Sequence, residues 1–448
     1  MANVIKIKKG LDINLKGKAV ETNLTAEKSD VFALIPDDYV GVVPKVIAKV
    51  GDVVKAGSVL MIDKNRPEIH FVSPVSGEVI AVNRGEKRKV LDILVKADGN
   101  DEYIDFGKKS VSSLSGEQVK AAILEAGLWP FVKMRPYDRV ANPQDAPRDI
   151  FVSGFYSAPL APNFDYIVKG QEADFQTGLD ALAKLTTGKV YLGVRNGSTL
   201  QAKGVEIINV EGPHPAGNVG VQINQTKPVN KGEVVWVMDP ADVIFIGRLF
   251  NKGVADLTRT VAVTGSETTE RGYLKTKVGA TMKSILKGKV LGENHLRYIS
   301  GNVLTGTKVA LDGYLRGYDN QVTVIPEGDN VHELFGWATL GLNKFSFSHS
   351  YFTWLQGRNK EYVIDARIRG GKRAIIMSDE YDRVFPMSIL PEFLIKAVIA
   401  YDIDKMESLG IYEVAPEDFA LCEFVDTSKL EIQEIIRTGL DMLYKEMN

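Results

Sequence analysis

The period at which apolar residues recur changes along the chain, and each change marks a different kind of unit. From Val40 to about Val95, short β-branched runs such as YVGVVPKVIAKVGDVV and SGEVIAV are punctuated by Gly51, Gly57, Gly77 and Gly85. This predicts a small all-β unit with regular turns. From about Ser115 to Asn251 the pattern alternates. SGEQVKAAILEAGL begins at a Ser cap, DIFVSGF and KVYLGVR have the form of buried strands, FQTGLDALAKLTTG is an amphipathic helix ending in Gly, and VEIINVEG and DVIFIGRLF add strands. Strands alternating with helices predict a Rossmann-like, mostly parallel sheet. From Thr258, the segments RTVAVTGS, YLKTKVGATMKSIL, RYISGNVL and QVTVIPEG predict a β-grasp-like unit containing one helix. PEFLIKAVIAYDIDKMESLG and KLEIQEIIRTGLDMLYKEM carry apolar positions at helical spacing, so the chain ends in a helical unit. The expected architecture is multidomain α/β, divided at 1–105, 106–257, 258–330 and 331–448.

Composition narrows the class. With 448 residues and 44% apolar content the chain can bury several cores. Its 55 Lys and Arg nearly balance 57 Asp and Glu, and no long run of like charge occurs, so nucleic acid is not an expected partner. MANVIKIKKGLDINL lacks the apolar core and cleavage site of a secretory signal. The apolar stretches around Val243–Ile246 and Leu390–Ala400 are interrupted by polar residues, Gly or Pro well before the roughly 18 residues a spanning helix needs. The expectation is an intracellular chain without a transmembrane helix, able to sit on a membrane. A single cysteine, Cys422, excludes an internal disulfide and cannot alone hold a Cys-rich metal site.

Candidate chemistry is sparse. HPAGNVGVQ, from His214 to Gln222, places glycines in a turn before what reads as a sheet-like segment, but matches neither G-x-G-x-x-G nor a P-loop. His214 has no Ser, Cys or carboxylate at a recognisable motif spacing, and reads as a hydrogen-bonded loop histidine. No G-x-S-x-G elbow and no H-E-x-x-H occurs. WPFVKMRPYDRV, from Trp129 to Val140, strings aromatic and cationic residues between a helix and a strand, where α/β sheets open their ligand crevice. Trp129, Phe131 or Tyr137 can stack on a flat ring, and Arg135 or Lys133 can donate hydrogen bonds to its carbonyl oxygens. Packing is the commoner use of such side chains.

Two resemblances add to this. VGDVVKAGSVL and SPVSGEVIAV resemble the hammerhead repeats of the biotinyl/lipoyl barrel-sandwich family, with Lys64 in IDKNRP as the one candidate for modification. Its turn is distorted by Pro67, and an unmodified surface lysine is the plainer reading. Across essentially the whole chain, IKIKKGLDINLKG, SPVSGEV, NRGEKR, GLDALAKLTTGKVY, EGPHPAGNVG, ISGNVLTGTK, HELFGWA and NKFSFS resemble, in order and spacing, the NqrA component of the Na+-translocating NADH:quinone reductase. The architecture also resembles the C subunit of the Rnf electron-transport complex and the NADH-binding flavoprotein subunit of complex I, with a β-grasp unit of the SLBB type and a C-terminal degenerate ferredoxin.

These resemblances imply a peripheral, cytoplasmic-side subunit of a six-subunit bacterial pump that passes electrons from NADH to ubiquinone and exports Na+. The expected partners are the other subunits and ubiquinone. In the relatives a Gly-rich loop approaches FMN; here WPFVKMRPY stands in its place, so FMN is not expected. Ile375, Ser378, Tyr381 and Phe385 occupy one outline of iron–sulfur ligand spacing, and Pro416, Phe419, Cys422 and Asp426 the other. Clusters are therefore not expected, nor is NADH oxidation by the isolated chain. LIPDDYVGV, with Tyr39 and Gly41, is a second candidate quinone contact beside Trp129, Phe131, Arg135 and Tyr137. The alternatives are an autonomous Rnf-type flavin or cluster protein, a carrier modified at Lys64, and a purely structural subunit.

Overall fold

Glycines at positive φ set the turns of the first unit, among them Gly51 (φ 93°) and Gly57 (φ 95°), where a side chain would be strained. Two antiparallel sheets result. One runs Val31–Leu34, Val90–Ala97, Gly77–Arg84, Val53–Val54, and the other Pro44–Val46, Val59–Asp63, His70–Val72. The computed structural model describes residues 4–292, 294–331, 340–357 and 359–447; HELFGWA, at 332–338, lies outside them. The strand Val4–Lys6 leaves this unit and pairs in parallel with Glu206–Glu211.

The sheet it joins has seven strands, in the order Val4–Lys6, Glu206–Glu211, Val190–Arg195, Ile150–Ser153, Val235–Met238, Lys133–Arg135, Arg139–Val140. The first five are parallel; the last two form a hairpin that adds antiparallel to Val235–Met238. After Ile150–Ser153 the chain moves to one side of that strand, then returns for Val235–Met238 on the other. The sheet therefore has a topological switch point between these two strands, where open α/β sheets bind ligands.

Ser115 caps the helix Gly116–Glu125 as its sequence predicts, accepting from the Gln118 N–H at 3.3 Å while Gln118 Oε1 accepts from the Ser115 N–H at 2.9 Å. DVIFIGRLF, expected as a strand, lies in the helix Pro240–Lys252. Asp239 accepts from the Ala241 N–H, Pro240 takes the first position and Gly253 (φ 77°) closes the end, and these end signals outweigh an apolar run that periodicity leaves ambiguous. VGVQ, expected as sheet-like, likewise begins the helix Val219–Thr226.

The helix Pro240–Lys252 is buried along nearly its whole length and packs on Glu172–Ala183 through glycines. A Cβ on Gly178 would stand 2.2 Å from the Val243 carbonyl oxygen, and one on Gly247 1.7 Å from that of Asp174.

The third unit is a five-stranded mixed sheet, Gly272–Lys277, Thr258–Thr264, Gln321–Pro326, Leu296–Ser300, Thr307–Val309, with a parallel central pair and the short helix Met282–Leu286. Between 327 and 379 the only regular element among the described residues is the 3-10 helix Phe352–Gln356. In the C-terminal helical unit the two outlines of cluster-ligand spacing pack on each other. Buried Tyr381 donates to Asp426 at 2.7 Å, Phe385 lies 4.8 Å from Phe419, and burial pushes the Cys422 thiol well above its usual range. Side chains fill the space between these positions.

Candidate functional site

A cavity of about 690 Å3 opens at the switch point. Ser153 stands at the end of its strand, Met238 at the end of the next, and Asn218 and Asp239 at the starts of the two helices that follow. The other walls come from Asp37, Asp38 and Val40 of the first unit, Arg316, Tyr318 and Asp319 of the third, and Glu417, Gln433 and Arg437 of the C-terminal unit. Every domain of the chain thus contributes to this one space.

Its chemistry is acidic. Asp37, Asp38, Asp138, Asp239, Asp242, Asp319, Glu417 and Glu434 line it, against Lys133, Arg316 and Arg437. Burial moves several of these carboxyls upward because a charge there is poorly solvated. Asp38 is raised to about 6 despite its contact with Arg316 and the Gly317 N–H at 2.7 Å. Glu417 is raised to about 7 by burial, against the pull of Arg135. Asp239, which accepts from Tyr156 Oη at 2.7 Å, and Asp319, which accepts from Ser300 Oγ at 2.6 Å, are raised by burial too. Asp242 pairs with Arg259 across the interface between the second and third units, and its Oδ2 has no hydrogen-bond partner.

Both segments singled out in the sequence reach the cavity, through Asp37, Asp38 and Val40 and through Phe131, Lys133 and Asp138. Their individual residues take different places. Phe131 faces it, with its ring 5.3 Å from Phe245 and 6.0 Å from Tyr318. Tyr39 sits one layer behind, edge-on to Phe71 at 4.7 Å and to Tyr318 at 5.5 Å. Trp129 is fully buried away from the lining; its indole N–H donates to the Ala141 carbonyl at 2.8 Å and its ring meets Trp236 at 5.1 Å. Tyr137 (φ 82°) packs on Tyr444, and Gly41 (φ 83°) leaves room for Arg139.

Arg135 is also buried. It donates to Asp418 at 2.8 Å and Glu417 at 2.7 Å; burial opposes the charge, but the two carboxylates outweigh it and hold the guanidinium above its ordinary value. Gly220 makes space for this pair, since a Cβ there would lie 2.5 Å from Asp418 Oδ2.

Sequence reasoning missed Tyr318, on which the site's aromatic packing converges. Besides touching Tyr39 and Phe131, it donates to the Pro130 carbonyl at 2.6 Å and carries Lys133 Nζ 4.2 Å over its ring. Asp239 and Asp242 were missed with the helix that bears them, although the D-P pair at 239–240 is a helix-start signal.

His214 lines the cavity with Nδ1 3.0 Å from Ser157 Oγ, and burial lowers its imidazole to about 4. A depressed folded value means that the neutral ring stabilises the fold. That contribution is present above pH 6.5 and is lost as pH falls towards 4, amounting to about 3 kcal/mol. His214→Gln is expected to remove this part of the acid sensitivity, read from urea unfolding across that pH window; an unchanged pH dependence would contradict it.

Lys64 is exposed, but its turn is fastened: Arg66 donates to Asp63 at 2.8 Å, to Val140 O at 3.2 Å and to Gly41 O at 3.2 Å. Among the described residues no cluster of three or more His, Cys, Asp or Glu is arranged to hold a metal ion, and no helix is long and apolar enough to cross a membrane.

Three family models match consecutive parts of the chain: the NqrA N-terminal barrel-sandwich hybrid domain over 5–98, the NqrA second alpha/beta domain over 114–255 and the NQRA C-terminal domain of SLBB type over 260–310. The NqrA protein of the Na(+)-translocating NADH-quinone reductase of Yersinia pestis bv. Antiqua (strain Angola) is 35% identical over 99% of this chain and 100% of its own length. The chain belongs to the NqrA family. The NqrA protein of Neisseria meningitidis serogroup B is likewise 35% identical over 99% of the chain, and that of Serratia proteamaculans 36%, each over its whole length. The family models agree with the barrel-sandwich, α/β and SLBB-like units seen here. A chain of a NAD+-reducing [NiFe]-hydrogenase overlaps 76% of this chain and 62% of its own with a TM-score of 0.38 and 11% identity, too slight a likeness to argue from.

Proposed function

We propose that this NqrA-family chain is the peripheral, cytoplasmic-side subunit serving the quinone end of a six-subunit Na+-translocating NADH:ubiquinone reductase, and that the switch-point cavity receives the ubiquinone head group. NADH oxidation, the flavins, the iron–sulfur centre and the Na+ path belong to the other subunits. The observation that carries the reading is the convergence of 37–40 and 131–138 on one cavity of about 690 Å3, within the usual size of a small-molecule site.

Phe131 supplies an aromatic wall and Lys133 a cationic donor for a carbonyl oxygen, both in contact with Tyr318 on the same cavity, which Tyr39 backs. Reduction of a quinone takes up protons as well as electrons. Glu417, on the cavity wall and 2.7 Å from Arg135, is a carboxyl raised from its ordinary value, and it can exchange a proton with the cavity. The side chains packed at the former ligand positions, Tyr381, Phe385 and Phe419, support a chain that binds no cluster.

Titration of the purified chain with short-chain ubiquinone is expected to quench its tryptophan fluorescence to saturation. Phe131→Ala and Lys133→Ala together are expected to weaken binding about tenfold, a loss of about 1.4 kcal/mol. Saturable quenching that the double variant leaves unchanged would place the quinone elsewhere; no quenching at all would favour a purely structural subunit.

A further inference from the structure

The segment 340–377 differs from the rest of the chain in charge and in exposure. It holds seven Lys and Arg against two Asp and Glu in a chain whose whole net charge is −2. Of the 24 large hydrophobic side chains exposed among the described residues, nine lie in these 38 positions. Phe352 (48%), Trp354 (52%) and Leu355 (66%) are exposed on the 3-10 helix, Phe352 and Leu355 on one face of it, and Ile368 is 71% exposed. Scattered exposed apolar residues need no explanation, but such a concentration marks an interaction surface.

The surface has a shape. A groove of about 700 Å3 runs beside the segment, lined by apolar residues such as Ile13, Leu15, Phe345 and Phe424 and by more cations than carboxylates, with Arg369 3.4 Å from Asp365 and Lys372 2.7 Å from Glu431. The apolar surface continues past the groove: Met377 meets Lys396 at 3.0 Å, on the helix Pro391–Ile399 whose Phe393 is 49% exposed. Apolar lining with an excess of cations over carboxylates, in a segment that also exposes Trp354, matches the layering of an anionic phospholipid surface, acyl chains below phosphate. Tryptophan favours that boundary because its ring is apolar and its N–H polar.

We infer that the face formed by 340–357, 359–377 and this groove is a membrane-docking pad that binds anionic phospholipid, its Lys and Arg side chains meeting phosphate and Phe352, Trp354 and Leu355 entering the acyl boundary. It accounts for how a chain with no spanning helix among its described residues is held at a membrane, and it stands independently of the quinone reading. Seven cations against two carboxylates in 340–377 favour a negatively charged partner, and the exposed aromatic and aliphatic side chains suit a fluid apolar layer.

The test is sedimentation of the purified full chain with vesicles of phosphatidylcholine alone or mixed with phosphatidylglycerol. Binding is expected only to the mixed vesicles, with loss of binding at high salt and a blue shift of Trp354 fluorescence that Trp354→Phe abolishes. Arg369→Glu, Lys372→Glu and Arg373→Glu together are expected to weaken binding at least about tenfold. These side chains are exposed, and the pairs that Arg369 and Lys372 make with Asp365 and Glu431 are surface pairs worth little, so circular dichroism and the unfolding midpoint should stay nearly unchanged and separate docking from folding. The inference is overturned if the mixed vesicles bring down no more protein than the neutral ones at low salt, or if the folded charge-reversal protein binds like the parent. Failure to bind vesicles at all would leave the surface to a protein partner.

Discussion

Arg135→Met is expected to lower the unfolding free energy by about 3–5 kcal/mol. The guanidinium is 1% exposed and Asp418 fully buried, so removing the cation leaves a buried carboxylate without its counter-charge. Asp418 also accepts from the Ala415 N–H at 2.9 Å and ties the C-terminal unit to the hairpin of the α/β sheet. The loss should therefore appear as weakened attachment of the C-terminal helices, seen in urea unfolding followed by circular dichroism. Adding Asp418→Leu to Arg135→Met should recover part of it, because an apolar pair avoids the desolvation penalty that a lone charge suffers. A single variant that unfolds within about 1 kcal/mol of the parent would contradict this reading. It follows that substitutions at Arg135, attractive from sequence as a probe of ligand binding, would report on the fold.

The second large effect is expected at Gly247. The helices Pro240–Lys252 and Glu172–Ala183 approach so closely that a Cβ at this position would lie 1.7 Å from backbone, which cannot yield as a flexible side chain would. Gly247→Val should force the helices apart at a loss of about 3 kcal/mol. Gly178 makes the reciprocal approach, so Gly178→Val should behave alike. The displaced helix carries Asp239 and Asp242 on the cavity wall. Quinone binding should therefore weaken along with stability, whereas Gly232→Ala, in a loop with nothing near its Cβ, should carry only the local strain of its positive φ and leave the cavity intact. Equal stability of Gly247→Val and the parent would show that the helix pair has slack the packing denies.

Much of the fold could be read from the sequence where local signals act alone. The Ser115 cap, the glycine turns of the first unit and the alternation of Ile150–Ser153 with its helices depend on short-range chemistry. DVIFIGRLF failed because a short, nearly continuous apolar run reads alike as a buried strand or a buried helix, and the deciding information lay in its ends, Asp239-Pro240 and Gly253. The site was legible as segments and not as residues. Aromatic and cationic side chains at 129–137 signalled an unusual stretch, yet which of them face a cavity depends on partners far along the chain. Trp129 is claimed by Ala141 and Trp236, and Arg135 by Glu417 and Asp418. Tyr318 could not be found at all, since its role arises only when three domains meet.

The most direct test of the cavity assignment is backbone hydrogen–deuterium exchange of the purified chain with and without saturating short-chain ubiquinone. Slowed exchange is predicted in 37–40, 131–138 and the loop containing Tyr318, with 340–377 unaffected. Binding that protects other segments and leaves these three unchanged would contradict the account.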